Sequence, residues 1–225
     1  MKQFKLRASA SGKMLTAKGA VAQNDTSRAY VEEWLISLLT GKTKEIESKY
    51  LTRGIESEKL AIARISKTLN LELKKNELQF ENDYFTGKPD IITEDTIIDA
   101  KCSWDVFTFP YFMKSPPMNY VLQLQEYMEM TGKRKAILAF CLENGTLDQI
   151  NRLAWQKAKK DGADEPTVQH WESAESELNY DHLADELRIK LFYINYDENL
   201  IKNLLEAVKL ARIYIYEKLL PCVNQ

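Results

Sequence analysis

Residues 86–102 read T-G-K-P-D-I-I-T-E-D-T-I-I-D-A-K-C. A Gly-x-Pro-Asp turn leads into one isoleucine pair, and a second pair leads into an aspartate and a lysine two residues apart. Because side chains alternate along a strand, Asp99 and Lys101 point to the same side of the second strand. Asp90 arrives across a short turn, so its carboxylate can approach that of Asp99. The stretch predicts two adjacent strands that hold three charged side chains together.

These three charges have two interpretations. Two carboxylates that converge beside a lysine repel each other unless a cation lies between them. Hard oxygen ligands of this kind suit Mg²⁺ or Mn²⁺, which favours a metal site. The alternative is that Asp99 and Lys101 form an exposed ion pair, which would contribute little to stability. The stretch by itself leaves both interpretations open.

Two predicted helices add polar side chains to this set. Helical spacing places Glu58 with Ile62 and Ile65 on the stripe that faces the core. A carboxylate there is costly unless it is paired or binds a metal, although it could also cap the first turn of its helix. Further along, Gln123 and Tyr127 are four residues apart, so an amide and a phenol project from one helix face.

The order of elements predicts a mixed α/β fold. Apolar residues at helical spacing predict helices that end at Gly41 and that cover residues 54–69, 119–131 and 198–219. Alternating and β-branched residues between the helices predict four or five strands. A polar, helical stretch at about 146–186 interrupts the strands. We therefore expect a central mixed β-sheet flanked by helices, in a single domain over residues 1–225 with a helical insertion.

Composition excludes several classes of protein. The hydrophobic fraction of 44% and charged fraction of 28% are typical of a folded globular chain. No run of about 18 apolar residues and no signal-peptide pattern occurs, so we expect a cytoplasmic protein. Two histidines are too few for a histidine metal cluster, and three widely spaced cysteines suggest neither a disulfide framework nor a zinc site.

Two further segments are unusual in composition. No acidic residue precedes Asp25, whereas several basic ones do: Lys2, Lys5, Arg7, Lys13 and Lys18. This N-terminal segment is either a solvated tail or a contact surface for phosphates. The run S-W-D-V-F-T-F-P-Y-F after Cys102 is either a hydrophobic plug beneath the sheet or a site where Trp104 or Phe107 stacks on a base.

In chain order the motifs are G-x-x-x-E from Gly54, G-x-P-D from Gly87, D-x-K from Asp99 and Q-x-x-x-Y from Gln123. This pattern resembles the PD-(D/E)xK nuclease superfamily, and more closely the phage lambda exonuclease group, also called YqaJ-like viral recombinases. A-S-A-S-G near the start looks like that family's T-A-S segment, and L-L-T-G, A-K-C and Y-V-L-Q-L-Q-E-Y are similar as well. The resemblance covers about residues 6–127 with a similar closing helix, and it fails at 146–186.

The resemblance implies a restriction-endonuclease-like core and a Mg²⁺-dependent DNA exonuclease. Such an enzyme would hydrolyse phosphodiester bonds from the ends of double-stranded DNA, 5′ to 3′, and leave 3′ single strands for phage recombination. Two ions would be bound, and Mn²⁺ could substitute for Mg²⁺. The implied partners are double-stranded DNA ends, further copies of the chain in a homotrimer around the DNA, and a single-strand annealing protein, all in the host cytoplasm.

The resemblance also implies roles for individual residues. The catalytic set would be Glu58, Asp90, Asp99, Lys101, Gln123 and Tyr127. The three carboxylates and the Ala100 carbonyl would bind metal, and the lysine would orient or deprotonate the attacking water. The glutamine would hold that water or the lysine, and the tyrosine would support the helix. DNA and its terminal phosphate would contact Lys5, Arg7, Ser9, Ser11, Lys88 and Trp104. The counterpart of the family's N-terminal arginine is not evident, and Lys5 and Arg7 are the candidates.

Two other functions remain open at this stage. One is a single-strand or structure-specific RecB/Cas4-like nuclease, although the iron–sulfur cysteines of the Cas4 branch are missing from the sequence. The other is a non-catalytic protein of the same fold that binds DNA ends. The presence of three acidic residues and a lysine at the motif positions argues against the second function.

Overall fold

The structure, a computed structural model, describes residues 2–43 and 49–223, with side chains from Ser57 onward in the second range. This part of the chain contains seven strands and eight α-helices. The strands are β1 (Leu6–Arg7), β2 (Phe80–Glu81), β3 (Phe85–Gly87), β4 (Ile91–Ile92), β5 (Thr96–Cys102), β6 (Lys135–Cys141) and β7 (Ile189–Asn195). The helices are α1 (Ser11–Met14), α2 (Asp25–Thr40), α3 (Lys49–Leu69), α4 (Met118–Thr131), α5 (Leu147–Lys160), α6 (Val168–Glu177), α7 (Glu198–Tyr214) and α8 (Leu220–Val223).

Local signals place most helix ends where the sequence predicts them. The side chain of Asn24 accepts a hydrogen bond from the amide of Ser27 at the start of α2, and Gly41 ends that helix with a φ of 66°. Helix α3 begins five residues before its predicted start, and a π-helical segment, Ile215–Leu219, joins α7 to α8. Within the described ranges, no helix is both long and apolar enough to cross a membrane.

The strands form two sheets. The larger has the order β4-β5-β6-β7, with β5 and β6 parallel and the other pairs antiparallel. The smaller has the order β1-β3-β2, with β1 parallel to β3. The mixed α/β class is confirmed, but the single central sheet that we expected is divided in two. Pro89 between β3 and β4 has no amide hydrogen to donate, which favours a break in pairing there.

The larger sheet is covered by α4 on one face and by α3 on the other. On β5, Ile97 packs with Leu124 and Met128 of α4, whereas Ile98 packs with Ile65 of α3. Successive side chains of β5 therefore alternate between the two helices, as a strand requires. The odd-numbered residues that follow Ile97 consequently face α4.

The N-terminal segment is part of a second apolar core. Phe4 and Leu6 are fully buried with Phe85 of β3 and with residues of α2 and α7. In the parallel β1–β3 pair, Arg7 lies opposite Thr86. This pairing places the basic N-terminal segment beside the turn that leads to Asp90.

Helices α5 and α6 lie within the range predicted for a helical insertion. Gly162, with a φ of 74°, lies in the break between them, where the sequence has D-G. Small residues are fully buried where the two helices pack, namely Ala154, Ala158 and Ala174. The amide of Gln149 donates to the Trp104 carbonyl oxygen at 2.8 Å, so α5 is attached to the loop that follows β5.

Gly87 allows α4 to approach the turn after β3. A Cβ atom at this position would lie 2.6 Å from Cε1 of Tyr127 and 3.0 Å from Cβ of Ala8. Both distances are shorter than ordinary carbon contacts, and Tyr127 is 4% exposed and has little room to move. Gly87 therefore lets the N-terminal segment, the turn and α4 meet.

We predict that Gly87→Ala destabilises the protein by about 1 to 3 kcal/mol, the usual cost of overpacking. In a chain of this size each kcal/mol lowers the melting temperature by about 2 to 4 °C. Thermal unfolding with Thr86→Ser as the control checks this, because that change keeps the neighbouring hydroxyl and adds no atom. Equal melting temperatures for Gly87→Ala and the control would show that the contact can relax.

Candidate active site

Asp99 and Lys101 lie on the face of β5 that is covered by α4. Asp99 is 1% exposed, and Lys101 Nζ lies 2.6 Å from Asp99 Oδ2. That oxygen has no hydrogen-bond partner of good geometry, so the contact is an ion pair. The ammonium also lies 5.2 Å from the centre of the Tyr120 ring. Because the carboxylate is buried, the interpretation of an exposed surface ion pair is wrong.

The lysine holds its proton strongly. Burial lowers the pKa of Lys101, but the charges of Asp99 and Asp90 raise it by more, so the pKa lies above its usual value of 10.5. Lys101 is therefore a fixed positive charge beside two carboxylates at neutral pH. Such a group stabilises negative charge and orients a polar ligand rather than accepting a proton.

Asp90 reaches the same cluster from the Gly-x-Pro-Asp turn. Its Oδ2 accepts a hydrogen bond from the Ala100 amide at 2.9 Å, which fixes the carboxylate against β5. Burial, followed by the charge of Asp99, raises the pKa of Asp90 from 3.8 to about 7, and Glu58 adds a smaller repulsion. The two aspartates therefore converge closely enough for the charge of Asp99 to oppose the ionisation of Asp90.

Helix α4 supplies an amide and a phenol to the cluster. Gln123 Nε2 donates to Asp99 Oδ1 at 3.3 Å and to the Tyr127 hydroxyl at 2.9 Å. Burial raises the pKa of Tyr127, and the charge of Asp99 adds to this effect, so the phenol stays neutral. Tyr120 was not among the predicted residues, although its position three residues before Gln123 places it on the same helix face.

Glu58 occupies a different position from the one expected. Its side chain is 20% exposed, and its Oε2 lies 2.6 Å from Nζ of Lys75. Ser57 and Ala61 are fully buried on α3, so Glu58 lies at the margin of the buried stripe and not at its centre. Lys75 was not predicted, because its contact with Glu58 joins distant residues and leaves no local sequence pattern.

The oxygen atoms of this cluster suit a hard divalent cation, although the cluster is not a complete metal site. Among the side chains of residues 2–43 and 57–223, no three from histidine, cysteine, aspartate or glutamate are grouped so that they could hold a metal ion. Asp90 and Asp99 nevertheless converge, and burial, followed by the charge of Asp99, raises the pKa of Asp90. These observations fit a cation between the two carboxylates. Glu58, whose Oε2 is paired with Lys75, could join them.

The predicted DNA contacts fall on both sides of the Gly-x-Pro-Asp turn. Arg7 and Ser9 are exposed, Lys5 Nζ lies 3.4 Å from Glu81, and Lys88 Nζ lies 2.7 Å from Glu77. Both acidic partners are more than half exposed, so these ion pairs are weak and can exchange for phosphate contacts. The pairing of β1 with β3 brings this basic set together.

Ser11 is the exception, because it is fully buried and not available to a ligand. Its Oγ lies 2.5 Å from the Ala8 carbonyl oxygen and 2.6 Å from Oε1 of Glu126. A hydroxyl has one hydrogen and cannot donate to both oxygens. Burial raises the pKa of Glu126 well above its usual value, so a protonated Glu126 can supply the second hydrogen. Ser11 therefore joins the N-terminal segment to α4.

The aromatic loop after β5 has a buried part and an exposed part. Phe109 is 5% exposed and packs beneath the larger sheet, whereas Phe107 and Phe112 are 93% and 95% exposed. Trp104 is partly buried, and its carbonyl oxygen accepts the hydrogen bond from Gln149. One part of the loop is a hydrophobic plug, and the other presents aromatic rings to solvent.

Comparisons with solved structures found chains of similar fold. A phage related exonuclease from Haemophilus somnus 129PT is 26% identical, with a TM-score of 0.77 over 99% of this chain and 97% of that one. An alkaline exonuclease from Laribacter hongkongensis is 17% identical, with a TM-score of 0.66 over 95% and 89% of the two chains. A structure of that exonuclease in complex with dAMP is 19% identical, with the same TM-score and coverage.

The first of these structures confirms the resemblance to phage exonucleases that the motifs indicate. At their lower identity, the two Laribacter structures confirm the shared fold. No family model matches the sequence, and no curated protein matches it.

The raised pKa of Asp90 predicts how stability depends on pH in the absence of metal. Between pH 3.8 and about 7 the folded chain keeps a proton that the unfolded chain has released. The free energy of unfolding therefore falls as pH rises through this window. We expect Asp90→Asn in EDTA to raise the melting temperature by several degrees at pH 8 and to leave it nearly unchanged at pH 4.

Thermal unfolding at pH 4, 6 and 8 measures this effect. Asp95→Asn is the matched control, because a hydrogen bond from Thr96 lowers the pKa of that exposed carboxyl. The control should show no stabilisation at pH 8. A constant difference between Asp90→Asn and the wild-type chain at all three pH values would contradict the assigned titration.

Proposed function

We propose that this chain is a divalent-metal-dependent DNA exonuclease that hydrolyses phosphodiester bonds from the ends of double-stranded DNA. The proposal rests on the convergence of the Asp90 carboxylate, from the turn before β4, with Asp99 and Lys101 of β5. The fold is shared with a phage related exonuclease over 99% of the chain, and a structure of similar fold has a deoxynucleotide, dAMP, bound to it. Together these observations favour nucleic-acid hydrolysis over DNA binding alone.

Asp90 and Asp99, with the Ala100 carbonyl, would hold Mg²⁺ or Mn²⁺, and Glu58 would join them on release from Lys75. A bound cation would neutralise the scissile phosphate and lower the pKa of the attacking water, and a second ion could stabilise the leaving oxygen. Proton transfer to the lysine is disfavoured, because Lys101 is already protonated at neutral pH. Its ammonium instead orients the water and stabilises the charge that develops on the phosphate.

Gln123 and Tyr127 act as positioning residues in this proposal. The Gln123 amide holds one oxygen of Asp99 while it also donates to the Tyr127 hydroxyl. The second oxygen of Asp99 is thereby left to face Lys101. Tyr127 packs over the turn that carries Asp90, so α4 aligns both aspartates.

The basic residues beside the turn suggest how a DNA end is recognised. Arg7, Ser9, Lys5 and Lys88 would contact the terminal 5′-phosphate and its neighbours, and hydrolysis would then proceed 5′ to 3′. The product would be a 3′ single strand used in phage recombination. We also propose, on the resemblance alone, one nuclease domain, a homotrimer around DNA, an annealing partner and a location in the host cytoplasm.

Digestion of end-labelled duplex DNA tests the activity. We expect wild-type protein with Mg²⁺ or Mn²⁺ to degrade linear DNA and spare circles, to release 5′ label first, to prefer a 5′-phosphate over a 5′-hydroxyl, and to stop in EDTA. Asp99→Asn and Lys101→Ala should each lower the rate by at least about 100-fold, because each removes charge stabilisation at the reacting phosphate.

Asp95→Asn and Lys135→Ala are matched controls for these substitutions. They alter an aspartate and a lysine that form an exposed ion pair at 3.7 Å beside the same strands, and they should leave the rate unchanged. Degradation that survives Asp99→Asn would exclude the proposed mechanism. Cleavage of circles, or of single strands alone, would instead favour a structure-specific or single-strand nuclease.

A further inference from the structure

A cavity of about 600 Å³ lies between the loop that follows β5 and helix α5 of the insertion. Phe107 of the loop and Trp155 of α5 both line it, and they are 93% and 48% exposed. Asn151, Arg152 and Gln156 of α5 line the same cavity and are also exposed. We call this cavity the loop–α5 groove.

Hydrogen bonds fix both sides of the groove. Gln149, which is 3% exposed, joins α5 to the carbonyl oxygen of Trp104. The Asp105 side chain accepts from the Thr108 amide at 2.8 Å, which fixes the turn that presents Phe107. Phe107 is thus held in solvent by an ordered turn, although its ring is almost fully exposed.

The groove is close to the candidate active site along the chain. Trp104 follows Lys101 by three residues, so their Cα atoms are at most about 11 Å apart. Asp105 and Glu177 also line the groove, but the first is used in the turn and the second is paired with Lys157 at 2.7 Å. Helix α5 itself is basic, with Arg152, Lys157, Lys159 and Lys160 against one aspartate.

We propose that the loop–α5 groove binds an unpaired nucleobase and its phosphate from a single-stranded DNA segment next to the active site. Phe107 and Trp155 offer aromatic faces for stacking, and Asn151 and Gln156 offer amides to base edges. Arg152 Nε is paired with Asp148 at 2.7 Å, and the other two nitrogens of its guanidinium can contact the phosphate. The volume suits one or two nucleotides but not a duplex. Inside a duplex both faces of a base are covered by the neighbouring pairs, whereas an unpaired and unstacked base can place its face against an aromatic side chain.

This inference rests on the proposed nuclease function, because the nucleic acid is taken to come from that site. It assigns a role to the predicted insertion at about 146–186, which the sequence motifs of the resemblance do not reach, although the fold shared with the phage related exonuclease covers 99% of the chain. The insertion would hold the strand that becomes unpaired as the duplex end is opened.

Binding of a fluorescein-labelled oligo-dT in EDTA, followed by anisotropy, tests the groove without requiring hydrolysis. Removing one stacked ring should weaken binding by about tenfold, so we expect this loss for Phe107→Ala and for Trp155→Ala. Phe107→Trp, which keeps an aromatic face, should retain most of the affinity. Binding to a blunt duplex of equal length should change by less than twofold in all three variants.

Two matched controls separate the groove from general exposure of aromatic rings. Phe112 lies in the same loop and is 95% exposed, and Trp171 lies on α6 and is 38% exposed, but neither lines the groove. Phe112→Ala and Trp171→Ala should bind oligo-dT like wild type. Equal losses in the controls, unchanged binding by Phe107→Ala, or no oligo-dT binding by wild-type protein would overturn the proposal.

Duplex degradation measured in parallel distinguishes the two proposals. If oligo-dT binding depends on Phe107 but no DNA is degraded, the proposed nuclease function is contradicted and the proposal for the groove stands. If DNA is degraded normally and Phe107→Ala binds oligo-dT like wild type, the proposal for the groove is contradicted and the nuclease function stands. Melting temperatures of the variants check that each chain is folded.

Discussion

The alternation of side chains along β5 is the constraint on which the rest of the structure depends. This strand is paired on both sides, with β4 and with β6, and it is covered by a helix on each face. A shift of its register by one residue would place Asp99 and Lys101 against the apolar side chains of α3. Ile97 and Ile98 prevent this shift, because each fills a separate core. The apolar residues of the strand thus determine which face carries the charges.

Burying charge at this face lowers the free energy of unfolding, and the surrounding apolar core must offset that loss. Asp99 leaves water almost completely, and its ion pair with Lys101 offsets only part of the desolvation cost. Burial, followed by the charge of Asp99, raises the pKa of Asp90 to about 7. A fold selected for stability alone would replace such a cluster with apolar residues. The presence of this cluster beside a well-packed core is therefore better explained by chemistry than by folding.

The sequence predicted the features that depend on short spacings and missed those that depend on distant contacts. Alternation placed Asp99 with Lys101, and helical spacing placed Gln123 with Tyr127, because both relations repeat within a few residues. The ion pair between Glu58 and Lys75 joins two elements and has no local pattern. The strand β1 is two residues long, too short for a periodic signal, so the division into two sheets was not foreseen. The opposite exposures of neighbouring aromatic residues in the loop after β5 likewise depend on tertiary packing.

The contact between Ser11 and Glu126 differs in kind from the other contacts of the site, because burial raises the pKa of Glu126 and so favours its neutral carboxyl form. Dissolved salt screens partly exposed ion pairs, such as that of Glu58 with Lys75, over a Debye length of about 8 Å at physiological ionic strength. A fully buried neutral hydrogen bond does not respond to salt in this way. A rise in ionic strength would therefore weaken the ion pair that holds Glu58, while the N-terminal segment stays fixed against α4.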